Sequence, residues 1–197
     1  MIIFMTDVIC ITNRLLAGKH FLLQLDKIAS TKPKYIILRE KDLSEKDYEM
    51  LAKKVLAICS RYDVKCVIHT YSKVALALNT PWLHLTLYDL KKLEKNEKVK
   101  FKLLSTSIHS REEAVEAQKL GCHSIIAGHI FETDCKKSVP PKGLNFLEDV
   151  CKSVEIPVYA IGGITNYNKQ ECIQRGAAGV CAMSLFMKCH NPEILFS

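Results

Sequence analysis

Short runs of apolar residues, rich in β-branched side chains, recur along the chain and alternate with segments whose apolar positions repeat with a helical period. Runs of this kind are typical of strands buried on both faces of a parallel sheet. The predicted strands lie at residues 8–11, 35–38, 64–68, 82–85, 103–108, 122–127, 157–161 and 179–183. The pattern therefore predicts eight strands separated by helices.

The segments of helical period lie at residues 20–30, 44–62, 72–78, 88–95, 110–120, 144–153 and 166–175, with a short turn at 184–188. Ser44 precedes Asp47 by three residues, as Ser110 precedes Glu113, and both pairs are typical of helix N-termini. Strict alternation of strand and helix requires parallel strands with crossover helices. Eight such units suit closure into a barrel better than an open sheet, so we expect an α/β fold, a single (β/α)8 TIM barrel.

The length of 197 residues and a hydrophobic content of 48% suit one domain, so we expect a single TIM-barrel domain over residues 1–197. Residues 1–7 lack the pattern of a signal peptide, and no later stretch reaches about 18 uninterrupted apolar residues. We therefore expect a soluble, cytoplasmic protein with no membrane partner.

Cysteine and charge usage narrow the function classes. The nine cysteines are scattered singly without a C-x-x-C pair, which indicates reduced core residues rather than a zinc site or a redox dithiol. The formal charge of +7 is spread over amphipathic helices instead of one basic stripe, which argues against a nucleic-acid partner. An anionic small substrate is compatible with this charge.

In a TIM barrel the loops that follow the strands carry function. Gly162 and Gly163 follow the seventh strand, and Ser184 begins the last short helix. Glycines let backbone N–H groups approach an anion, and a helix N-terminus adds partial positive charge, so these residues predict a phosphate site. A tight turn is the alternative interpretation of the glycine pair.

Two cations follow the second strand. Arg39 and Lys41 flank Glu40, so both point to the same side of an extended backbone and could reach one carboxylate or phosphate. The alternative is that both are simply solvated.

The longest polar connection follows the sixth strand and begins with a histidine. His129 stands at the end of that strand, where an imidazole that titrates near neutral pH suits acid–base work, although a lone histidine is more often structural. The four histidines His69, His84, His109 and His123 are candidates for a metal cluster. A metal cluster is not predicted, because His84 and His123 lie inside predicted strands, where a hydrogen-bonded core histidine is the commoner interpretation.

The motifs LREKD at 38–42, STSIHSREEA at 105–114, GHIFETDCKK at 128–137 and AIGGI at 160–164 resemble the thiamine phosphate synthase/TenI family. The resemblance covers nearly the whole chain and implies a TIM barrel. It also implies one of two chemistries. Thiamine phosphate synthase joins a pyrimidine pyrophosphate to a thiazole phosphate with magnesium, whereas TenI is a thiazole tautomerase.

Departures from the synthase pattern favour the TenI branch. His69 and Thr70 replace an Asn-Asp pair after the third strand, which removes a carboxylate that a hard divalent cation needs. The run after the fourth strand keeps the histidine, His84, and one acid, Asp89, but loses the glycine and the glutamine of the synthase pattern. After the sixth strand, His129 stands where the synthase has proline and Cys135 where it has threonine, as in the TenI loop.

The resemblance thus implies a thiazole tautomerase, an isomerase that aromatises a thiazole carboxylate phosphate by proton transfer without a cofactor. His129 would be the catalytic acid/base, and Gly162, Gly163 and Ser184 would bind the phosphate. The implied substrate-binding residues are Arg39, Lys41, Ser107, Thr133 and Lys136. The expected partner is a phosphorylated thiazole small molecule, and a homodimer is possible.

Two alternatives stay open. One is a transferase, thiamine phosphate synthase (thiamine-phosphate pyrophosphorylase), which joins hydroxymethylpyrimidine pyrophosphate to thiazole phosphate and would need Mg²⁺; Thr70 argues against it. The other is a non-catalytic regulatory or ligand-binding barrel that keeps only the phosphate site; His129 argues against it.

Overall fold

The computed structural model of the chain describes residues 7–136 and 138–196. Residues 1–6, Ser197 and Lys137, the last residue of the GHIFETDCKK motif, lie outside the described residues. Eight strands follow one another around a closed barrel in chain order. The predicted α/β fold, a (β/α)8 TIM barrel, is confirmed. The strands are β1 (Val8–Ile11), β2 (Tyr35–Leu38), β3 (Lys65–His69), β4 (Trp82–Thr86), β5 (Leu103–Ile108), β6 (Ser124–Gly128), β7 (Val158–Ile161) and β8 (Gly179–Ala182).

The helices are α1 (Arg14–Ala17), α2 (Phe21–Ser30), α3 (Glu45–Arg61), α4 (Ser72–Ala77), α5 (Leu87–Lys92), α6 (Lys95–Lys98), α7 (Arg111–Lys119), α8 (Gly143–Ser153), α9 (Lys169–Gln174) and α10 (Ser184–Lys188). Short 3₁₀ turns lie at Gly18–His20, Asp134–Lys136 and Pro192–Ile194. The predicted N-caps are confirmed, because the Ser44 hydroxyl accepts from the Asp47 N–H and the Ser110 hydroxyl from the Glu113 N–H.

Two predicted helices differ from the structure for local reasons. The helix predicted at 88–95 divides, because Glu94 forms a capping box with Glu97 and so begins α6. The helix predicted at 166–175 begins only at Lys169. The Asn168 side chain accepts from the Thr165 N–H at 2.7 Å, and this local hydrogen bond holds the preceding residues in a turn.

The described residues form two compact units. Unit 1 takes in residues up to Leu83 and those from Ala182 onward, and unit 2 is His84–Cys181. The single domain over residues 1–197 remains a prediction. No described helix is long and apolar enough to cross a membrane.

Unit 1 is built on β1, β2 and β3, which pair in parallel with Ile11 opposite Ile37 and Ile37 opposite Val67. Tyr48 of α3 is fully buried, and burial raises the pKa of its hydroxyl. That hydroxyl donates to the Leu38 carbonyl at 2.6 Å and accepts from the His69 N–H at 3.0 Å. One helix residue therefore fixes the ends of both β2 and β3.

The chain returns to unit 1 after β8. The Gln24 side-chain amide of α2 donates to the carbonyls of Phe186 and Cys189, each at 2.6 Å. The rings of Phe186 and Phe196 pack with centroids 5.9 Å apart. Residues 182–196 therefore pack against α2 and are hydrogen-bonded to it.

Unit 2 carries β5 to β8, again in parallel, with Ser107 opposite Ile126, Ile126 opposite Tyr159, and Tyr159 opposite Gly179. The short apolar runs of the sequence are thus buried strands, as their composition predicts.

None of the nine cysteines, all of which the structure describes, forms a disulfide, and burial raises the pKa of several of their thiols. Burial raises the pKa of the Cys122 thiol to about 12. The interpretation as core residues is confirmed for Cys10, Cys59, Cys66, Cys122, Cys172 and Cys181. Cys151 and Cys189 are half-buried and Cys135 is exposed.

Candidate functional site

A buried carboxylate joins the loops that follow β1 and β2 in unit 1. Glu40 accepts from the Thr12 hydroxyl at 2.6 Å and from the main-chain N–H of Arg14 at 3.0 Å to each oxygen. The Thr12 hydroxyl in turn accepts from the Arg39 N–H at 2.9 Å. The two loops therefore share one hydrogen-bonded centre.

The Arg14 side chain points outward from this centre. Its guanidinium donates two hydrogen bonds to Asp42, at 2.7 and 2.6 Å, and a longer one of 3.4 Å to Glu40. The hydrogen bonds from Arg14 lower the pKa of the Asp42 carboxyl. The charge of Arg14 is therefore already matched within the protein.

Arg39 and Lys41 lie on either side of Glu40, as the sequence requires. Glu40 is buried, Arg39 half-buried and Lys41 exposed. The extended backbone that the sequence suggests does not continue through Lys41, because a turn begins at Glu40, whose carbonyl accepts from the Leu43 N–H at 3.5 Å. The guanidinium of Arg39 makes no hydrogen bond or ion pair with any residue that the structure describes. Anion binding by the two cations remains a prediction.

The end of β3, also in unit 1, offers an imidazole and a hydroxyl. His69 is buried, and its Nδ1 lies 2.7 Å from the Thr70 hydroxyl. Thr70 itself is exposed, and its backbone φ is +70°. Neither group is anionic.

In unit 2 a histidine lies between two serines. His84 is buried, with Nδ1 2.8 Å from the Ser105 hydroxyl and Nε2 3.0 Å from the Ser107 hydroxyl. The interpretation of His84 as a hydrogen-bonded core histidine is confirmed. Ser107 is half-buried, and His84 fixes where its hydroxyl lies.

Asp89, the one acid of the synthase pattern that this chain keeps after β4, is hydrogen-bonded at the start of its own helix. Thr86 caps α5: its hydroxyl accepts from the Asp89 N–H at 3.1 Å and donates to the Asp89 carboxylate at 2.6 Å. Within residues 7–136 and 138–196, no group of three His, Cys, Asp or Glu side chains could hold a metal ion. Since Mg²⁺ prefers carboxylate oxygens, these side chains do not fit a divalent cation held by the protein alone.

We expect the free protein to bind Mn²⁺, a paramagnetic substitute for Mg²⁺, with a dissociation constant weaker than about 1 mM, because few carboxylates face one point. Electron paramagnetic resonance of free Mn²⁺ during a titration measures this directly. Asp89→Asn should leave the titration unchanged. A stoichiometric Mn²⁺ site in the wild type that Asp89→Asn removes would contradict the expectation.

His129 closes the base of the loop that follows β6. Its side chain is buried, and Nε2 donates to the Val139 carbonyl at 3.1 Å, since a carbonyl can only accept. At the same base, the Lys142 N–H donates to the His129 carbonyl at 2.9 Å and the Gly143 N–H to the Ile130 carbonyl at 3.0 Å. The imidazole N–H is therefore used to hold the loop together.

Two predicted substrate-binding residues lie within that loop. Thr133 is half-buried and its hydroxyl accepts from the Cys135 N–H at 3.4 Å. Lys136 is exposed on the 3₁₀ turn Asp134–Lys136, and its N–H donates to the Thr133 carbonyl at 3.0 Å. These hydrogen bonds close a tight turn that contains both residues.

Gly162 and Gly163 follow β7 with φ angles of +102° and +67°. The Phe131 N–H donates to the Gly162 carbonyl at 3.0 Å, and the Asn168 side chain to the Gly163 carbonyl at 2.9 Å. The pair thus forms a tight turn pressed against the β6 loop. Both glycines belong to unit 2 and Ser184 to unit 1, so the phosphate site made of all three remains a prediction.

A pocket of about 510 Å³ in unit 2 lies beside the same loop and was not predicted from the sequence. It is lined by Ile130, Phe131, Glu132, Pro141, Lys142, Gly143, Leu144, Asn145 and Arg175. None of the predicted site residues lines it, and Arg175 is paired with Glu148. The pocket therefore does not replace the predicted site.

Glu40 is the residue of this region whose role the sequence interpretation missed. It was named only as the residue between two cations. The sequence does carry a signal for this role. If Arg39 and Lys41 face one side of an extended segment, Glu40 faces the opposite side, and a carboxylate that is buried there needs hydrogen-bond donors.

The amino-acid sequence and the fold are both similar to those of one family of known proteins. The family described as thiamine monophosphate synthase matches residues 8–186. A thiamine-phosphate synthase of Fusobacterium nucleatum is 34% identical over 85% of this chain and 82% of its own. Thiamine-phosphate synthase 2 of Streptococcus pneumoniae is 31% identical over 93% and 88%. The solved thiamine phosphate pyrophosphorylase from Pyrococcus furiosus superposes with a TM-score of 0.81 at 25% identity, over 95% of this chain and 90% of that one.

These relatives overturn the interpretation as a thiazole tautomerase, an isomerase. Their names are those of transferases, and they span most of the chain. In the structure His129, the acid/base expected for that reaction, is buried and its Nε2–H donates to the Val139 carbonyl.

Proposed function

The chain belongs to the thiamine monophosphate synthase family, and we propose that it is a thiamine-phosphate synthase, a transferase. It would join hydroxymethylpyrimidine pyrophosphate to thiazole phosphate. The thiazole nitrogen forms a bond to the methylene carbon of the pyrimidine while the bond from that carbon to the pyrophosphate oxygen breaks, so inorganic pyrophosphate leaves. The observation that carries the proposal is the family match over residues 8–186.

In unit 1, Arg39 and Lys41 would bind the pyrophosphate. Negative charge grows on the leaving oxygen as the bond breaks, so fixed cations stabilise the transition state more than the bound substrate. Arg39 supports this role because its half-buried guanidinium has no partner among the described residues. Arg14 does not, because Asp42 and Glu40 already match its charge.

In unit 2, Ser107, Thr133 and Lys136 would contact the substrates. His84 holds the Ser107 hydroxyl in place. His129 would act as a positioning residue, because it closes the loop that carries Thr133 and Lys136.

The phosphate of the thiazole substrate would bind at Gly162, Gly163 and Ser184, as the sequence predicts. Backbone N–H groups at a glycine turn and at a helix start are the usual donors to such a group. No role is assigned to a resident divalent cation, since the side chains present do not fit one. The possible homodimer and the lack of a nucleic-acid partner also remain predictions.

We expect the purified protein to convert hydroxymethylpyrimidine pyrophosphate and thiazole phosphate to thiamine phosphate, with one pyrophosphate released per product. Chromatography of both products, with and without added Mg²⁺, measures the reaction. Arg39→Gln should lower kcat/KM by about 10- to 100-fold, because it removes a charge-assisted contact. Arg61→Gln is the matched control, since Arg61 is exposed and paired with Asp26. Its activity should match the wild type.

The thiamine phosphate pyrophosphorylase from Pyrococcus furiosus serves as the positive control for the assay. Absence of thiamine phosphate at every Mg²⁺ concentration, while that enzyme turns over the same substrates, would refute the proposed function.

A further inference from the structure

Glu40 is the one carboxylate that is buried within residues 7–136 and 138–196, and no substrate role has been assigned to it. Its side chain is 2% exposed. A buried carboxylate is costly unless hydrogen bonds satisfy it, so its presence at the end of β2 calls for a reason.

Main-chain and hydroxyl donors satisfy this carboxylate more than the neighbouring cation does. The Thr12 hydroxyl and the Arg14 N–H lie at 2.6 and 3.0 Å, whereas the Arg14 guanidinium lies at 3.4 Å and is turned toward Asp42. The carboxylate therefore acts chiefly on the backbone of the loop after β1.

The same carboxylate also reaches the backbone of Arg39. The Arg39 N–H donates to the Thr12 hydroxyl, and that hydroxyl donates to Glu40. The last hydrogen bond of this relay is made by the Arg39 N–H, directly after β2. That nitrogen is bonded to the Cα atom from which the Arg39 side chain projects. Because Arg39 and Lys41 are the chain neighbours of Glu40, restraining Glu40 and the Arg39 N–H restrains the main chain from which both cations project.

We propose that Glu40 is a positioning residue for anion binding, which holds the main chain at 39–41 so that Arg39 and Lys41 face one bound pyrophosphate group. The inference rests on the proposed function, because that function supplies the pyrophosphate. Glu40 itself contacts no substrate and carries the opposite charge.

Glu40→Gln tests the proposal, since it keeps the shape and removes the charge that orders the donors. Inorganic pyrophosphate is the probe, and isothermal titration calorimetry measures its binding to the full chain. We expect its dissociation constant to rise about tenfold. We expect kcat/KM for the pyrophosphate substrate to fall by at least as much, with part of the loss in kcat, because the two cations act more strongly on the transition state than on the bound substrate.

Asp42→Asn is the matched control. It removes the exposed carboxylate that pairs with the same Arg14, and it should change pyrophosphate binding by less than about twofold. Thermal unfolding of each variant shows whether it is folded. A folded Glu40→Gln protein that binds pyrophosphate as the wild type does, or that loses no more than Asp42→Asn, overturns the proposal.

Thr12→Val keeps the test decisive if Glu40→Gln fails to fold. It removes the relay to the Arg39 N–H and leaves the contact between Glu40 and the Arg14 N–H. We expect weaker pyrophosphate binding, and unchanged affinity would refute the proposal. A third outcome separates the two proposals. If pyrophosphate binding weakens in these variants but the wild type forms no thiamine phosphate, the proposed function is refuted and the role of Glu40 in anion binding is not.

Discussion

Gly162→Ala should lower the free energy of unfolding by about 2–5 kcal/mol. The new Cβ would lie 2.7 Å from the Cα of His129 and closer still to its Cβ, so the backbone at the base of the β6 loop must move. Overpacking of this kind costs about 1–3 kcal/mol. The φ of +102° adds about 1–2 kcal/mol, because an L side chain strains that conformation.

Gly121→Ala separates the two contributions. Gly121 has a φ of +88°, and a Cβ there would meet nothing within 4 Å, so only backbone strain of about 1 kcal/mol is expected. Urea unfolding followed by circular dichroism measures both variants. Equal destabilisation of the two would show that the contact between Gly162 and His129 is unimportant.

Tyr48→Phe should cost about 2–4 kcal/mol of stability although it removes one oxygen atom. That oxygen serves both the Leu38 carbonyl and the His69 N–H, and both would be left without it in a buried site. Because Leu38 directly precedes Arg39, we also expect a higher KM for the pyrophosphate substrate.

Tyr71→Phe is the matched control for this change. The rings of Tyr71 and Tyr48 are in contact, with centroids 4.8 Å apart, and the Tyr71 hydroxyl makes one hydrogen bond to the Leu43 carbonyl at a half-buried position. Its loss should cost about 1 kcal/mol. Equal stability changes in urea unfolding for the two variants would contradict the bridging role of Tyr48.

The barrel could be predicted from the sequence because its strands are buried on both faces. The runs at 8–11, 35–38 and 103–108 coincide with β1, β2 and β5. The remaining strands shift by one or two residues, as at β6, which begins at Ser124 rather than at residue 122. A burial pattern fixes the middle of a strand, whereas its ends depend on turn hydrogen bonds that hydrophobicity does not record.

The site could be predicted only in part. Residues after strand ends were found by position, since the fold requires function there. The choice of reaction was wrong, because it depended on substitutions such as Thr70 and His129 taken one at a time. A histidine in a loop has the same letter whether its N–H faces a substrate or, as here, the Val139 carbonyl.

The contact between Gln24 and the carbonyls of Phe186 and Cys189 also sets an order of events on the ribosome. Translation is vectorial, so α2 emerges long before the segment 182–196 that covers it. All of unit 2 is synthesised in between. The part of α2 around Gln24 that these carbonyls contact therefore stays uncovered on the nascent chain during that interval. Domains that emerge in order can fold in order, but unit 1 completes its contacts only with residues made after unit 2.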